Sequence, residues 1–279
     1  DELHWGPGTY TVERHLEAGD HTLKLDYYES HEDQFVTLSW QKIPTPVPPV
    51  QRILFASDRD GDYDVYVMDA NGANPVNLTD NITWDMDPAW SPDGRQIVFA
   101  SDQSGPTQLH VMDADGSNVR SLGVTGYQPR WSPDGSRIVF MDGPEWAWEI
   151  YVMDADGSNV VQLTDNDVAD FTPSWSPDGS RILFETGRDA PDLQEEIYVM
   201  NANGSDPINL SQHQAWDGSP AWSPDGSTIA FLSNRDGNNE IYLMDADGGN
   251  QRRLTSVSYT HLRAHETSLH LVCRLLLEK

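Results

Sequence analysis

Two groups of residues in this chain have types and spacings that could do chemistry. The first is Asp58-x-Asp60-x-Asp62-x-Asp64, where alternating carboxylates in a short polar stretch offer several oxygens to a hard cation such as Ca2+. The stretch lacks the glutamate at the twelfth loop position that completes an EF-hand. A similar segment, Ser233-Asn-Arg-Asp-Gly-Asn-Asn-Glu240, recurs with fewer charges, so turn chemistry competes with metal binding as its explanation. The second group sets tryptophan beside carboxylate: Trp84-Asp85, Trp216-Asp217, Asp170 at a matching position, and Trp146 with Trp148 in another loop. An exposed indole next to an acid suits a sugar ring or a cationic peptide group. The same residues could instead pack between structural units and cap turns, and both readings stand at this stage.

Catalytic machinery is not visible. The sequence has no G-x-S-x-G elbow, no H-E-x-x-H and no phosphate loop, and its only cysteine, Cys273, falls in an anomalous C-terminal segment. His4, His15, His21, His31, His110 and His213 show no spacing that builds a metal or catalytic set. The chain is therefore expected not to be an enzyme. With 45 acidic against 17 basic side chains and a net charge of −28, it offers no surface for nucleic acid and is repelled by acidic membranes. No apolar run approaches the roughly 20 residues of a membrane-spanning helix, so membrane insertion is not expected either.

The elements that must position these residues repeat. WSPDGRQIVFAS, WSPDGSRIVFMD, WSPDGSRILFET and WSPDGSTIAFLS begin at Trp90, Trp131, Trp175 and Trp222, a period near that of a propeller blade. Each continues into a second signature, such as QLHVMDADGSN or EIYVMDADGSN, and most close on a short strand such as NLTD or QLTD. Ser-Pro-Asp-Gly puts Pro at the second turn position and Gly where the backbone turns left-handed, and Asp-Ala-Asp-Gly serves the next hairpin. Strands such as Ile97-Val-Phe-Ala are apolar at every position, as in a sheet covered on both faces.

P-x-W-S-P-D-G-x-x-I-x-F followed by I-Y-x-M-D-A-D-G and L-T resembles the WD40-like (PD40) repeat of the TolB C-terminal β-propeller, over about residues 51–255. The resemblance implies an all-β, six-bladed, TolB-type propeller, here cut to about five four-stranded blades, with a small antiparallel β segment at the N-terminus. No WSPDG precedes the first unit, so its inner strand is expected from the far end of the chain, as in ring closure.

Residues 1–41 resemble the last strands of a PA14-type β-sandwich through Leu16-x-Ala-Gly-x-His21, Tyr27-Tyr-Glu29 and Val36-x-Leu-x-Trp40. Residues 42–50, Pro-rich, read as a stiff linker. At the other end composition breaks abruptly. Read back through the genetic code, Val257–Thr267 and Leu271–Lys279 resemble the two ends of a transposon-type sequencing adapter, with Ser268–His270 where a variable index falls. Residues 256–279 are thus expected to be a non-native tail, and the sequence to be a piece of a longer chain.

The SPDG and DADG turns share one face of a propeller and are nearly uniform, whereas the loops between second and third strands and the leads into each inner strand vary. Recognition is expected on that variable face. The expected protein is a non-catalytic binding module of the bacterial periplasm, cell surface or exterior, with a protein or glycan partner and no cofactor beyond a candidate Ca2+. Prolyl-oligopeptidase-type enzymes carry related repeats, so the alternative is the regulatory propeller of a serine peptidase or other hydrolase.

Overall fold

The structure, a computed structural model, describes strands at 10–15, 22–27 and 39–40 and the stretches 52–103, 105–144, 147–189 and 194–256. The expected linker and nearly all of the expected tail lie outside these residues, as does most of 1–41. Strands β1 (Tyr10–His15) and β2 (Thr22–Tyr27) form a two-stranded antiparallel sheet. Five four-stranded antiparallel sheets follow. Blade 1 holds β3 (Ser39–Trp40), β4 (Arg52–Ser57), β5 (Asp64–Asp69) and β6 (Val76–Asn77). Blade 2 holds β7 (Asp85–Trp90), β8 (Gln96–Ser101), β9 (Gln108–Asp113) and β10 (Arg120–Thr125). Blade 3 holds β11 (Tyr127–Trp131), β12 (Arg137–Asp142), β13 (Glu149–Asp154) and β14 (Val161–Gln162). Blade 4 holds β15 (Asp170–Trp175), β16 (Arg181–Thr186), β17 (Glu196–Asn201) and β18 (Ile208–Asn209). Blade 5 holds β19 (Asp217–Trp222), β20 (Thr228–Ser233), β21 (Glu240–Asp245) and β22 (Arg252–Arg253). Among the described residues no helix is long and apolar enough to cross a membrane.

The inner strand of blade 1 differs from expectation. It comes from Ser39–Trp40, just upstream of the proline-rich stretch, and not from the far end of the chain. Trp40 pairs with Ile53 as Trp90 pairs with Ile97, Trp131 with Ile138, Trp175 with Ile182 and Trp222 with Ile229. The same Trp–Ile register thus recurs in all five sheets, with no SPDG turn in the first.

Local chemistry fixes each blade. In the first SPDG turn the Gly94 amide donates to the Ser91 carbonyl at 2.8 Å, and Ser91 Oγ donates to Asp93 at 2.7 Å while accepting from the Gln96 amide at 2.9 Å. The glycine of the second turn has two duties. Gly157 sits at φ +92°, and a Cβ there would stand 2.6 Å from the Leu122 carbonyl of the preceding blade, so no other residue fits. The L-T motif locks the outer half of the sheet. Thr79 Oγ1 accepts from the Val65 amide at 3.0 Å and donates to Asp64 at 2.8 Å; Thr164 and Ser211 take the matching amides of Ile150 and Ile197, and Thr255 that of Ile241, each at 2.9 Å.

Packing explains the continuously apolar second strands. Ile97 and Phe99 join the cluster toward blade 1 with Leu54, Val65 and Trp90, while Val98 and Ala100 join the cluster toward blade 3 with Ile138 and Phe140. The same alternation fills the junctions of blades 3 with 4 and 4 with 5. Trp90, Trp175 and Trp222 are buried in these junctions. Each of β7, β11, β15 and β19 carries a bulge, at which Asp87, Gln128, Thr172 and Ser219 adopt φ near +50°. A bulge strips a residue of its ladder partner, and acids of the preceding blade supply a substitute. Asp87 accepts the Gln128 amide at 3.2 Å, and Glu185 accepts the Ser219 amide at 2.7 Å.

Candidate binding face

The leads into the inner strands and the loops between second and third strands are stitched together. Asp85, Asp170 and Asp217 donate their backbone N–H to the carbonyls of Tyr63, Trp148 and Glu195 of the preceding blade, at 2.6, 2.7 and 2.9 Å. Within a blade, the Trp84 amide donates to Asp102 Oδ1 at 2.8 Å and its carbonyl accepts from the Asp102 amide at 3.2 Å. Trp216 and Asn234 repeat that pair at 3.2 Å both ways. The face is therefore rigid at its backbone.

The carboxylates placed on this face by the sequence point inward. Asp85, Asp170 and Asp217 are buried, at 1%, 0% and 0% exposure. Arg188 Nη2 contacts both oxygens of Asp170 at 3.0 and 2.8 Å, and Arg235 Nη2 both oxygens of Asp217 at 3.1 and 2.9 Å. Each guanidinium also lies over a Phe–Tyr pair of its own blade, Phe184 with Tyr198 and Phe231 with Tyr242. Asp85 has no such partner, because Gln103 occupies the position eighteen residues on where blades 4 and 5 carry arginine. Its Oδ2 accepts from the Asn81 side-chain Nδ2 at 2.6 Å, and its Oδ1 has no partner in bonding geometry. Burial pushes the Asp85 carboxyl up, against the pull of Ser101, Asn81 and Thr79.

The aromatic residues divide. Trp84 is 54% exposed and meets Tyr63 edge-on at 6.1 Å. Trp148 is half-buried and edge-on to Tyr127 at 4.9 Å. Trp216 is half-buried, its ring so close to Gly218 that a Cβ there would lie 2.4 Å from it. Trp146 lies outside the described residues. Between Asn81 and Trp84 stands Ile82, 94% exposed, which the sequence reading passed over. Comparing leads would have found it: Asn81-Ile-Thr-Trp carries an aliphatic side chain where Asn166-Asp-Val-Ala and His213-Gln-Ala-Trp carry polar ones.

Of the alternating aspartates, Asp60 and Asp64 bond within the blade. The Tyr66 hydroxyl donates to Asp60, Asn77 and Thr79 donate to Asp64 at 2.7 and 2.8 Å, and Arg59 lies over Phe55 and Tyr66. Tyr198 with Asp189 and Tyr242 with Asp236 repeat the tyrosine–aspartate bond. Among the described residues no three His, Cys, Asp or Glu side chains gather to hold a metal ion. Asp62 is left over: burial first, then the charges of Asp64, Asp60 and Asp80, push its carboxyl up.

Glu185 was also not singled out from the sequence. It stands where the other blades carry Ala56, Ala100, Met141 and Leu232, accepts from the Thr172 hydroxyl and the Ser219 amide, and is pushed up to about 7 by burial.

The family model for PD40, the TolB beta propeller domain, matches residues 17–142, 126–193 and 190–269. This chain belongs to the TolB β-propeller family. No curated protein matches it. Among solved structures this TolB-type propeller is similar to a TolB of Agrobacterium tumefaciens, at TM-score 0.69 and 22% identity over 84% of this chain and 83% of that one. It is similar to TolB of Acinetobacter baumannii at TM-score 0.64 and 22% identity, covering 74% of this chain and about half (53%) of that one. A puromycin-hydrolyzing peptidase of Mycobacterium tuberculosis matches at TM-score 0.63 and 17% identity, over 90% of this chain and 44% of that one.

Proposed function

We propose that this TolB-type propeller is a non-catalytic binding module of the bacterial cell envelope or exterior, taking a protein or glycan partner on the face built by the leads and the loops between second and third strands. One observation carries the reading: Trp84 is an exposed indole on a backbone clamped from both sides, so it can bury its ring on a partner at little conformational cost. Support for the location comes from the family, whose TolB members the fold resembles. Asp170 and Asp217 position the leads under this reading and do not touch the partner, because arginines already hold them.

The test presents the purified chain to a glycan array and to an array of envelope proteins, alongside Trp84→Ala and Trp216→Ala. Binding that falls at least about tenfold in Trp84→Ala, with melting unchanged, is the expected result. Binding indifferent to Trp84 moves the partner to another face and overturns the proposal. A second reading, a propeller that regulates a hydrolase, is favoured by the overlay on the mycobacterial peptidase. Finding a G-x-S-x-G strand–turn–helix in the same open reading frame would decide for it.

A further inference from the structure

Most exposed large apolar residues of the described chain sit at repeated positions: Val119 and Val160 each follow the Asn of Asp-Ala-Asp-Gly-Ser-Asn, and Leu254 is the blade 5 counterpart of Leu78, Leu163 and Leu210. Val76, Val161 and Ile208 occupy one repeated position, the first residue of β6, β14 and β18, and belong to the architecture. Ile82 and Trp84 break the repeat. Their counterparts are Asp167 with Ala169 and Gln214 with Trp216, and neither of those leads exposes two apolar side chains. Such a pair is a hydrophobic anchor specific to the junction of blades 1 and 2. It is also fixed in place, since Asn81 Oδ1 accepts the Thr83 amide at 2.7 Å and Asp102 holds Trp84.

The electrostatic setting of the anchor is one-sided. Tyr63, whose ring meets Trp84, is flanked in sequence by Asp62 and Asp64, and its carbonyl holds the Asp85 amide. Burial first, and then the charges of Asp64, Asp60 and Asp80, push the Asp62 carboxyl up, which places four carboxylates close together beside Tyr63. Arg59, the basic side chain of that loop, lies over Phe55 and Tyr66. Asp102, which accepts the Trp84 amide and is only half-buried, adds a further carboxylate beside the anchor. An apolar anchor inside an acidic surround complements a segment that brings cations and an apolar side chain together, the cation gaining from both the carboxylates and the indole face.

We infer that the junction of blades 1 and 2 docks a protein segment in which arginine or lysine adjoins an apolar residue, the apolar side chain on Ile82 and Trp84 and the cation toward the aspartates around them. The inference rests on the proposed binding face and narrows it from protein or glycan to a basic protein segment.

The experiment selects phage-displayed random dodecapeptides on the whole chain, with counter-selection on Ile82→Ser/Trp84→Ala. The double variant keeps the net charge, so peptides held only by the charge of −28 are removed with it. Recovered sequences should pair Arg or Lys with Leu, Phe or Trp. Their affinity should drop at least about tenfold in either single variant and fall with added NaCl. Selection of neutral or acidic peptides, of none, or of basic peptides that ignore Ile82 and Trp84 overturns the inference. If a glycan binds in a Trp84-dependent way, the basic segment is wrong and the binding face stands; if every ligand ignores Trp84, both fall.

Discussion

Glu185 is a carboxyl placed where every other blade has an apolar side chain, and two bulged strands depend on it. Its folded-state value of about 7 lies above that of an exposed glutamate, so the folded protein binds the extra proton. The sign follows. The stability tied to this group is fully present below the unfolded pKa, near 4.3, and is lost as pH rises through about 7. Glu185→Gln removes the titration while keeping an acceptor for the Ser219 amide. We expect unfolding free energy by urea titration to lose up to about 3 kcal/mol of its dependence between pH 5 and 8 in that variant. An unchanged slope would show that burial does not hold the proton on Glu185. The aligned repeats show a lone carboxyl among apolar counterparts but not its burial, which is set by the neighbouring blade, through Ser219, thirty-four positions away.

At the scale of the element, the blade is held by bonds that the repeat motifs encode and by others that they do not. The SPDG and DADG turns were legible because each closes on itself within a few residues. The threonine of L-T was legible as a strand ending but not as a lock, since its partners lie fourteen and fifteen residues upstream. Thr79→Val keeps the shape, strips the Val65 amide of its acceptor and leaves Asp64 Oδ1 with only the 3.5 Å contact of the Asn81 backbone amide, which should cost about 2–4 kcal/mol, whereas Thr79→Ser should recover most of it. The arginine–aspartate pairs join loop to lead at a separation of eighteen and show only when blades are compared. Arg235→Met should destabilise by about 3–5 kcal/mol through the stranded Asp217, and Asp217→Asn on top of it should restore part. Gln103→Arg runs the comparison in reverse, and thermal melting should rise because Asp85 gains the partner its counterparts have. Trp40 was legible as a strand residue but was assigned to the upstream module. Its place in blade 1 is set by pairing across the proline-rich stretch, which no turn motif announces.

Over the whole molecule, a charge of −28 makes self-repulsion a term in every conformational equilibrium. Five acids withdrawn from solvent share one sign. Burial is the largest influence on Asp85, Asp87, Glu149 and Glu196, and pushes each upward, as with Glu185. Their linked stability is lost as pH rises through their folded values. The turn aspartates have the opposite sign. Hydroxyls of Ser132, Ser176 and Ser223 hold Asp134, Asp178 and Asp225 down at about 2, so the stability they add is present above the unfolded value and lost as pH falls through about 2. Between these windows lies an optimum below neutrality. Melting followed by circular dichroism should rise from pH 8 toward about 5 and fall again below the ordinary aspartate range near 3.9. Raising NaCl from about 0.05 to 0.5 M shortens the Debye length severalfold, which screens exposed carboxylates and leaves buried ones largely untouched. Salt should therefore raise the curve most at pH 8 and shift its maximum little. A maximum that moved to neutral pH in salt would assign the effect to surface charge and not to the buried acids.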